Sequence, residues 1–291
     1  MSERRGRAVA TMLAAVATFS LMDAGLKLLS AHYPSMQVAA LRGAASVPLV
    51  LAWALLSTGW RPLFRVRWRL HLLRAVLGVI MIAAFVHGVR VLPLSTTYSI
   101  FFVAPLLITA LSGPFLGERV GRARWIAITT GLVGVLIVLR PTGEGMMTTA
   151  GLAVLLSALG YAVAAITVRV LAFTDSTQAM VLWLMVGMAV GAGALALPGW
   201  VPLRGEHAGL IAGVGVAGAL GQYAITEAFR MGEASLLAPL EYSALVWGTA
   251  LDLAVWHVLP DGITWLGAAV IVASGFYLLR REAVHAEAEH P

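Results

Sequence analysis

Ten mostly apolar stretches alternate with short polar connections along this chain: 8–30, 35–57, 71–91, 95–117, 122–140, 149–172, 178–198, 208–230, 235–257 and 262–280. Each is about as long as a helix must be to cross a hydrocarbon core of ~30 Å, which takes ~20 residues. The pattern predicts an all-α membrane protein of ten transmembrane helices. Connections this short leave no room for a soluble catalytic domain, so function is expected inside the bilayer.

Composition narrows the picture. Of 291 residues, 60% are hydrophobic and 12% charged, against about 25% charged in soluble domains, and mean hydropathy is +0.88. A net charge of +6 would suit nucleic acid, but Lys27 is the one lysine and most arginines lie between apolar stretches. Such placement is topology signal, and the basic loops lack the aromatic interleaving of a nucleic-acid surface. With no cysteine, disulfides and thiolate metal sites are excluded. No P-loop, HExxH or nucleophile elbow is present, which argues against ATP hydrolysis and the common hydrolase chemistries. Neither a cofactor nor a metal is expected. The first stretch lacks a cleavage site and reads as a retained helix.

With the N-terminus inside, one side of the membrane receives Arg4, Arg5, Arg7, Arg61, Arg65, Arg67, Arg69, Arg74, Arg119, Arg122, Arg124, Arg169, Arg230, Arg280 and Arg281. The other receives Lys27, Arg90, Arg140 and Arg204. That asymmetry predicts both termini in the cytoplasm.

The exceptions carry a second message. Lys27 and Arg169, Arg90 and Arg230, and Arg140 and Arg280 each close corresponding helices 140 to 142 positions apart, and Trp125 and Trp265 repeat the offset. This predicts a duplication with halves 8–141 and 149–281. Five helices per half is an odd number, so the second half must run upside down relative to the first. Inverted repeats are a transporter signature, with the substrate site expected near midplane between the halves.

Two segments carry a family resemblance. VLPLSTTYSIFFVAPLLITALSGPFLGERVGRARW spans 91–125, with Pro105 in the helix and Gly117-Glu118-Arg119 at its end; AFRMGEASLLAPLEYSALVWGTALDL (228–253) and LPDGITWLGAAVIVASGFYLLRRE (259–282) end the second half. The chain resembles the drug/metabolite transporter superfamily, specifically EamA-type ten-helix transporters, over essentially 8–281. One departure is Trp256-His257-Val258, where similar proteins show Gly-Glu. Within the superfamily it is most similar to YddG-type amino-acid exporters and to a group of S-adenosylmethionine carriers. The resemblance implies a secondary transporter exporting small zwitterionic metabolites, amino acids foremost, by alternating access. A carrier of S-adenosylmethionine or another cation is the same-class rival. An intramembrane enzyme or a non-transporting scaffold would be rivals of another class. Expected partners are a small-molecule substrate, lipid and a possible coupling ion; no oligomeric state is implied.

Charges inside spans single out candidates, because each costs at least ~2.5 kcal/mol at a helix centre. Asp23 and Lys27, at i,i+4, are expected to face each other as a structural pair, and Glu227 and Arg230, at i,i+3, invite the same reading. Glu227 is also the repeat counterpart of His87, so the two could line opposite ends of one path. His87 could titrate near neutral pH or be an ordinary hydrogen-bonded histidine. Arg42 could fix a substrate carboxylate or serve the scaffold. Glu241 follows Pro239 by two residues and shares an ideal helix face with Gly248 and Asp252; it could hold a substrate ammonium or be a buried structural acid. Tyr98, Tyr161, Tyr223, Tyr242 and Trp247 are candidate ring walls for the substrate, or core packing. Pro105 and Pro239 are expected kinks and flex points. Gly187/Gly191 and Gly209/Gly213 are expected to let helices approach closely.

Overall fold

A computed structural model describes residues 2–116, 122–139, 148–231 and 237–289. Its elements are α1 (Ser2–Ser30), α2 (Ser35–Ser57), the single turn α3 (Arg61–Phe64), α4 (Trp68–Val91), α5 (Leu94–Phe101), α6 (Val103–Leu116), α7 (Arg122–Leu139), α8 (Thr149–Leu171), α9 (Thr177–Ala196), α10 (Ala208–Met231), α11 (Ala244–Leu251) and α12 (Gly262–Glu289). Gly117-Glu118-Arg119, Arg140 and positions 232–236 of the second motif lie outside the described residues.

Six stretches among these residues are long and apolar enough to cross a membrane: Gly6–Ser30, Ser35–Ser57, Trp68–Val91, Thr149–Leu171, Thr177–Gly199 and Gly205–Met231. Leu94–Ile108, Thr129–Val138 and Gly262–Ser274 are shorter apolar helices. Large apolar side chains face outward along them, among them Leu56, Leu72 and Val190, and Val246 does so on α11. Water would penalise such faces and lipid accepts them, while every helix keeps its backbone bonds internal. This is a helical, multi-pass membrane protein.

Local chemistry sets where helices start. Thr148 Oγ1 accepts from Gly151 N at 3.3 Å and Ser176 Oγ from Ala179 N at 3.2 Å, capping α8 and α9. Asp261 Oδ1 accepts from Thr264 N at 3.0 Å and caps α12. Each cap satisfies one amide that the first helical turn leaves unpaired.

The fourth and ninth stretches do not form single straight helices. The fourth breaks at Phe102, between α5 and α6. Pro105 lacks the N–H that would bond the Phe101 carbonyl, so the ladder fails there. In the ninth, Ala238–Ser243 is 3-10, α11 follows, and Asp252–Trp256 is a π turn closed by His257 in the left-handed region at φ 55°. Pro239 occupies the first turn of the 3-10 segment rather than the interior of an α-helix. These changes of pitch undo the single face expected for Glu241, Gly248 and Asp252. Gly248 and Asp252 meet α5, at the Tyr98 ring and at Ser95, whereas Glu241 reaches Tyr161 on α8.

The most extensive packing joins α1 to α10, α2 to α9, α4 to α8 and α7 to α12. Gly43 makes the second of these possible: a Cβ there would lie 2.6 Å from Ala189 N. Gly187 and Gly191 lie against Ala75 and Val79 of α4, as small-residue packing requires. Gly209 and Gly213 have nothing within 4 Å of a would-be Cβ, so the expected close approach is not made there within the chain. One end of the bundle gathers Ala8, Met12, Val168, Leu171, Met180 and Phe229. The other is marked by Tyr33 Oη on His207 Nδ1 at 2.8 Å and by Gln37 Nε2 donating to the Val201 carbonyl at 2.6 Å.

Candidate functional site

A cavity of about 170 Å³ lies between α1, α4, α5, α8, α10 and the 3-10 segment. Apolar and aromatic side chains line most of it, including Phe19, Phe85, Phe101, Phe102 and Phe229. The polar groups that reach it are few: Ser20, Asp23, Arg42, Arg74, Tyr98, Ser157, Tyr161, Gln222, Thr226 and Glu241. An apolar hollow with sparse polar anchors is the usual form of a small-molecule site.

Its main feature is an arc of rings with an acid at each end. Tyr98 Oη donates to Asp23 Oδ2 at 2.9 Å. Tyr98 stacks on Phe85 at 6.4 Å between centroids and 23° between planes; Phe85 meets Phe101 edge-on at 5.9 Å; Phe101 meets Tyr161 at 5.4 Å. Tyr161 Oη then donates to Glu241 Oε1 at 2.9 Å. These centroid distances fall in the range where aromatic pairs attract beyond simple burial. The hydrogen bonds fix both terminal hydroxyls, so the rings present a rigid wall.

Arg42 is buried against the same cavity and donates to the sulfurs of Met22 (3.0 Å) and Met188 (3.2 Å). Thioether sulfur is a weak acceptor, and Asp23 is the acid within electrostatic reach.

Of the residues singled out in the sequence, Asp23, Arg42, Tyr98, Tyr161 and Glu241 therefore come together in one cavity. Others stand elsewhere. His87, one turn before the end of α4, does not line it. Glu227 pairs with Arg230 at 3.4 Å and accepts from Thr177, tying α10 to the start of α9. The proposed path with His87 and Glu227 at its ends is not this cavity. Tyr242 packs edge-on against Phe102 at 5.0 Å, behind the wall. Trp247 is 42% exposed on the outer surface, and Tyr223 is also exposed and packs on Trp53 rather than lining the cavity.

The expected Asp23–Lys27 pair does not form. Lys27 Nζ lies 3.4 Å from Asp252 Oδ1 and also bonds the Leu92 carbonyl, while Asp23 turns into the cavity toward Tyr98. The i,i+4 spacing permits contact, but a fully buried acid across the bundle offers Lys27 a better-shielded partner.

Several lining residues escaped the sequence reading. Arg74 looked like one more basic residue of the 61–74 run. Phe85 and Phe101 looked like generic apolar positions, and nothing local marks them as neighbours.

Outside the spans, Asp175 ties the end of α8 to the start of α4. It accepts from Thr174 Oγ1 at 2.6 Å and Arg67 N at 3.1 Å, and lies 2.8 Å from His71 Nε2. Burial pushes its carboxyl up, but these hydrogen bonds outweigh that and hold it below the usual carboxylate range. Among the described residues no cluster of three or more His, Asp or Glu could hold a metal ion.

Comparison with known proteins places this architecture. Residues 6–140 match the model of the EamA-like transporter family. The chain is 31% identical over 278 residues to a riboflavin transporter of Vibrio cholerae, covering 93% of this chain and 92% of that one. It is 27% identical to a pseudopaline exporter of Pseudomonas aeruginosa, covering 90% and 92%, and 25% identical to an S-adenosylmethionine uptake transporter of Rickettsia felis, covering 73% and 72%. Each is named for transport rather than catalysis. A crystal structure sharing 20% identity superposes with a TM-score of 0.68 over 94% of this chain and 98% of the other, so the fold is shared. On these grounds the chain belongs to the EamA-like transporter family.

Proposed function

We propose that this transporter carries a small, planar, polar-edged heteroaromatic metabolite of the riboflavin class, bound in the cavity against the Tyr98–Phe85–Phe101–Tyr161 arc. The arc is the observation that carries the reading. A continuous ring wall suits a flat aromatic solute, and an acid or arginine at its margins suits the polar edges of such a solute. The riboflavin transporter among the relatives supports the same class.

The amino-acid reading keeps one specific observation in its favour. Asp23, Glu241 and Arg42 share the cavity, as a zwitterion would require. Yet Asp23 and Glu241 already accept from tyrosines, and rings outnumber charges along the wall. A cation such as S-adenosylmethionine would lean on Glu241 and is the remaining rival.

The carrier works by alternating access between two inverted halves, 8–141 and 149–281. The pairing of helices supports this. The α2–α9 and α7–α12 contacts each join a helix to its own counterpart, and α1–α10 and α4–α8 are counterparts of each other, the pattern of a pseudo-twofold axis in the membrane plane. The two tyrosine–carboxylate bonds follow it: each joins the first and fourth spans of one half, with donor and acceptor helices exchanged. Along α1 the cavity lining stops at Asp23. The Lys27–Asp252 cluster one turn further closes that end. With both termini in the cytoplasm of an inner-membrane protein, the closed end is the outer one.

Equilibrium binding tests the substrate class. Riboflavin fluorescence should be quenched saturably on stacking in the purified protein, and Phe101→Ala should weaken binding about tenfold, the scale of one lost aromatic contact. Absence of quenching by the intact wild type would remove the flavin reading.

A further inference from the structure

Arg74 stands out once its surroundings are known. It sits two turns into α4, is 2% exposed and lines the cavity. A guanidinium carries five N–H donors and stays charged in proteins. Among the described residues Arg74 makes one hydrogen bond, from Nη1 to the Ala164 carbonyl at 3.3 Å, and Nε has no partner. Asp175, which meets His71 on the same helix, is already engaged by His71, Thr174 and the Arg67 amide. Asp23 is coupled to Arg42, and Glu241 is held by Tyr161. Ser157, fully buried on α8 and lining the same cavity, also leaves its hydroxyl unpartnered.

A buried charge with donors unmade destabilises a protein unless something else completes it. Here both residues line a hollow, so the completing group can come from a bound solute. We infer that Arg74 is a substrate-binding residue: a carbonyl or carboxylate oxygen of the substrate accepts from its guanidinium, with Ser157 donating from the facing wall. The planar fork favours two adjacent acceptor atoms over a single point contact. This rests on the cavity being the substrate site, and it adds the chemistry that the substrate must show at this position: an electron-rich oxygen edge. Arg42, softened by two sulfurs and balanced by Asp23, is the less hungry of the two cations.

Two measurements on the purified full chain decide it. In ligand-free melting, Arg74→Met should raise Tm, because an incompletely paired buried charge is replaced by an apolar side chain of similar length. A fall in Tm would make Arg74 structural and overturn the inference. In riboflavin binding by fluorescence quenching, Arg74→Gln should weaken Kd about 10- to 100-fold, the range for hydrogen bonds to a charged group. Arg74→Lys should fall between Gln and wild type, and Ser157→Ala should lose a few-fold on the same scale. An unchanged Kd for a folded Arg74→Gln overturns the inference. Wild type that does not bind riboflavin at all sinks the flavin reading instead, and the melting comparison then decides Arg74 by itself.

Discussion

Lys27 bonds Asp252, 225 residues away, rather than Asp23 one turn away on its own helix. The same carboxylate accepts from Leu94 N (3.0 Å), Ser95 N (2.7 Å) and Ser95 Oγ (2.7 Å), so it caps α5 while it neutralises Lys27. Lys27 Nζ also rests 4.4 Å from the centre of the Trp256 ring. One buried acid therefore ties α1, the start of α5 and the π turn together. A double-mutant cycle on melting free energy checks this. Lys27→Met with Asp252→Asn should show coupling of about 1–3 kcal/mol, and Lys27→Met with Asp23→Asn less than about 0.5 kcal/mol, the additivity limit for independent sites.

The ring arc makes a prediction about where aromatic truncation matters. Phe85→Ala and Phe101→Ala remove ring surface that faces the cavity, and each should raise the apparent KM for flux about tenfold. Trp247→Ala removes a larger ring from the outer surface and should leave KM within about twofold, since exposed substitutions perturb little. Initial-rate flux in liposomes, normalised to inserted protein, reads both.

Close packing of α2 on α9 depends on Gly43. A Cβ there meets Ala189 N at 2.6 Å and the Met185 carbonyl at 2.9 Å, backbone atoms that cannot rotate away. Gly43→Ala should cost about 1–3 kcal/mol through forced backbone shifts. Gly209→Ala, where nothing lies within 4 Å, should be neutral or slightly stabilising through its better helix propensity. Thermal melting of the two variants in one detergent makes the comparison.

Asp175 predicts an acid limb to stability. Its carboxyl is held below its unfolded value, so the stabilisation is present above the ordinary aspartate range and disappears as pH falls through the lower folded value. Asp175→Asn should lower Tm at pH 7 and flatten the dependence of Tm on pH between about 5 and 3, where an ordinary aspartate titrates. A wild-type and variant difference that stays constant across that interval would remove Asp175 from the account.

Much of the architecture was legible in the sequence because hydrophobic length is a local property. The stretches that became α2, α4, α8, α9 and α10 stand within three residues of their expected bounds, α1 begins six residues earlier than expected, and Pro105 signals the break at Phe102. The ninth stretch was not legible in detail. Its shift from 3-10 to α to π turn goes with contacts to residues far away in the chain, Glu241 to Tyr161 and Asp252 to Lys27 and Ser95, which no local pattern displays. The site was half legible. Arg42, Tyr98, Tyr161 and Glu241 stand out as polar groups inside apolar runs, whereas Phe85 and Phe101 resemble every other core position. Arg74 hides among neighbours that belong to a loop, and only the tertiary fold turns it inward.

Counterflow in liposomes tests the central claim most directly. Vesicles containing the purified chain, loaded with unlabelled riboflavin and diluted into a trace of labelled riboflavin, should accumulate label transiently and saturably. The Phe85→Ala/Phe101→Ala variant should lose at least about 90% of that signal, on the scale of two aromatic contacts. Labelled phenylalanine and S-adenosylmethionine, run in parallel, should exchange more slowly. Robust exchange of either of those with none of riboflavin would contradict the account.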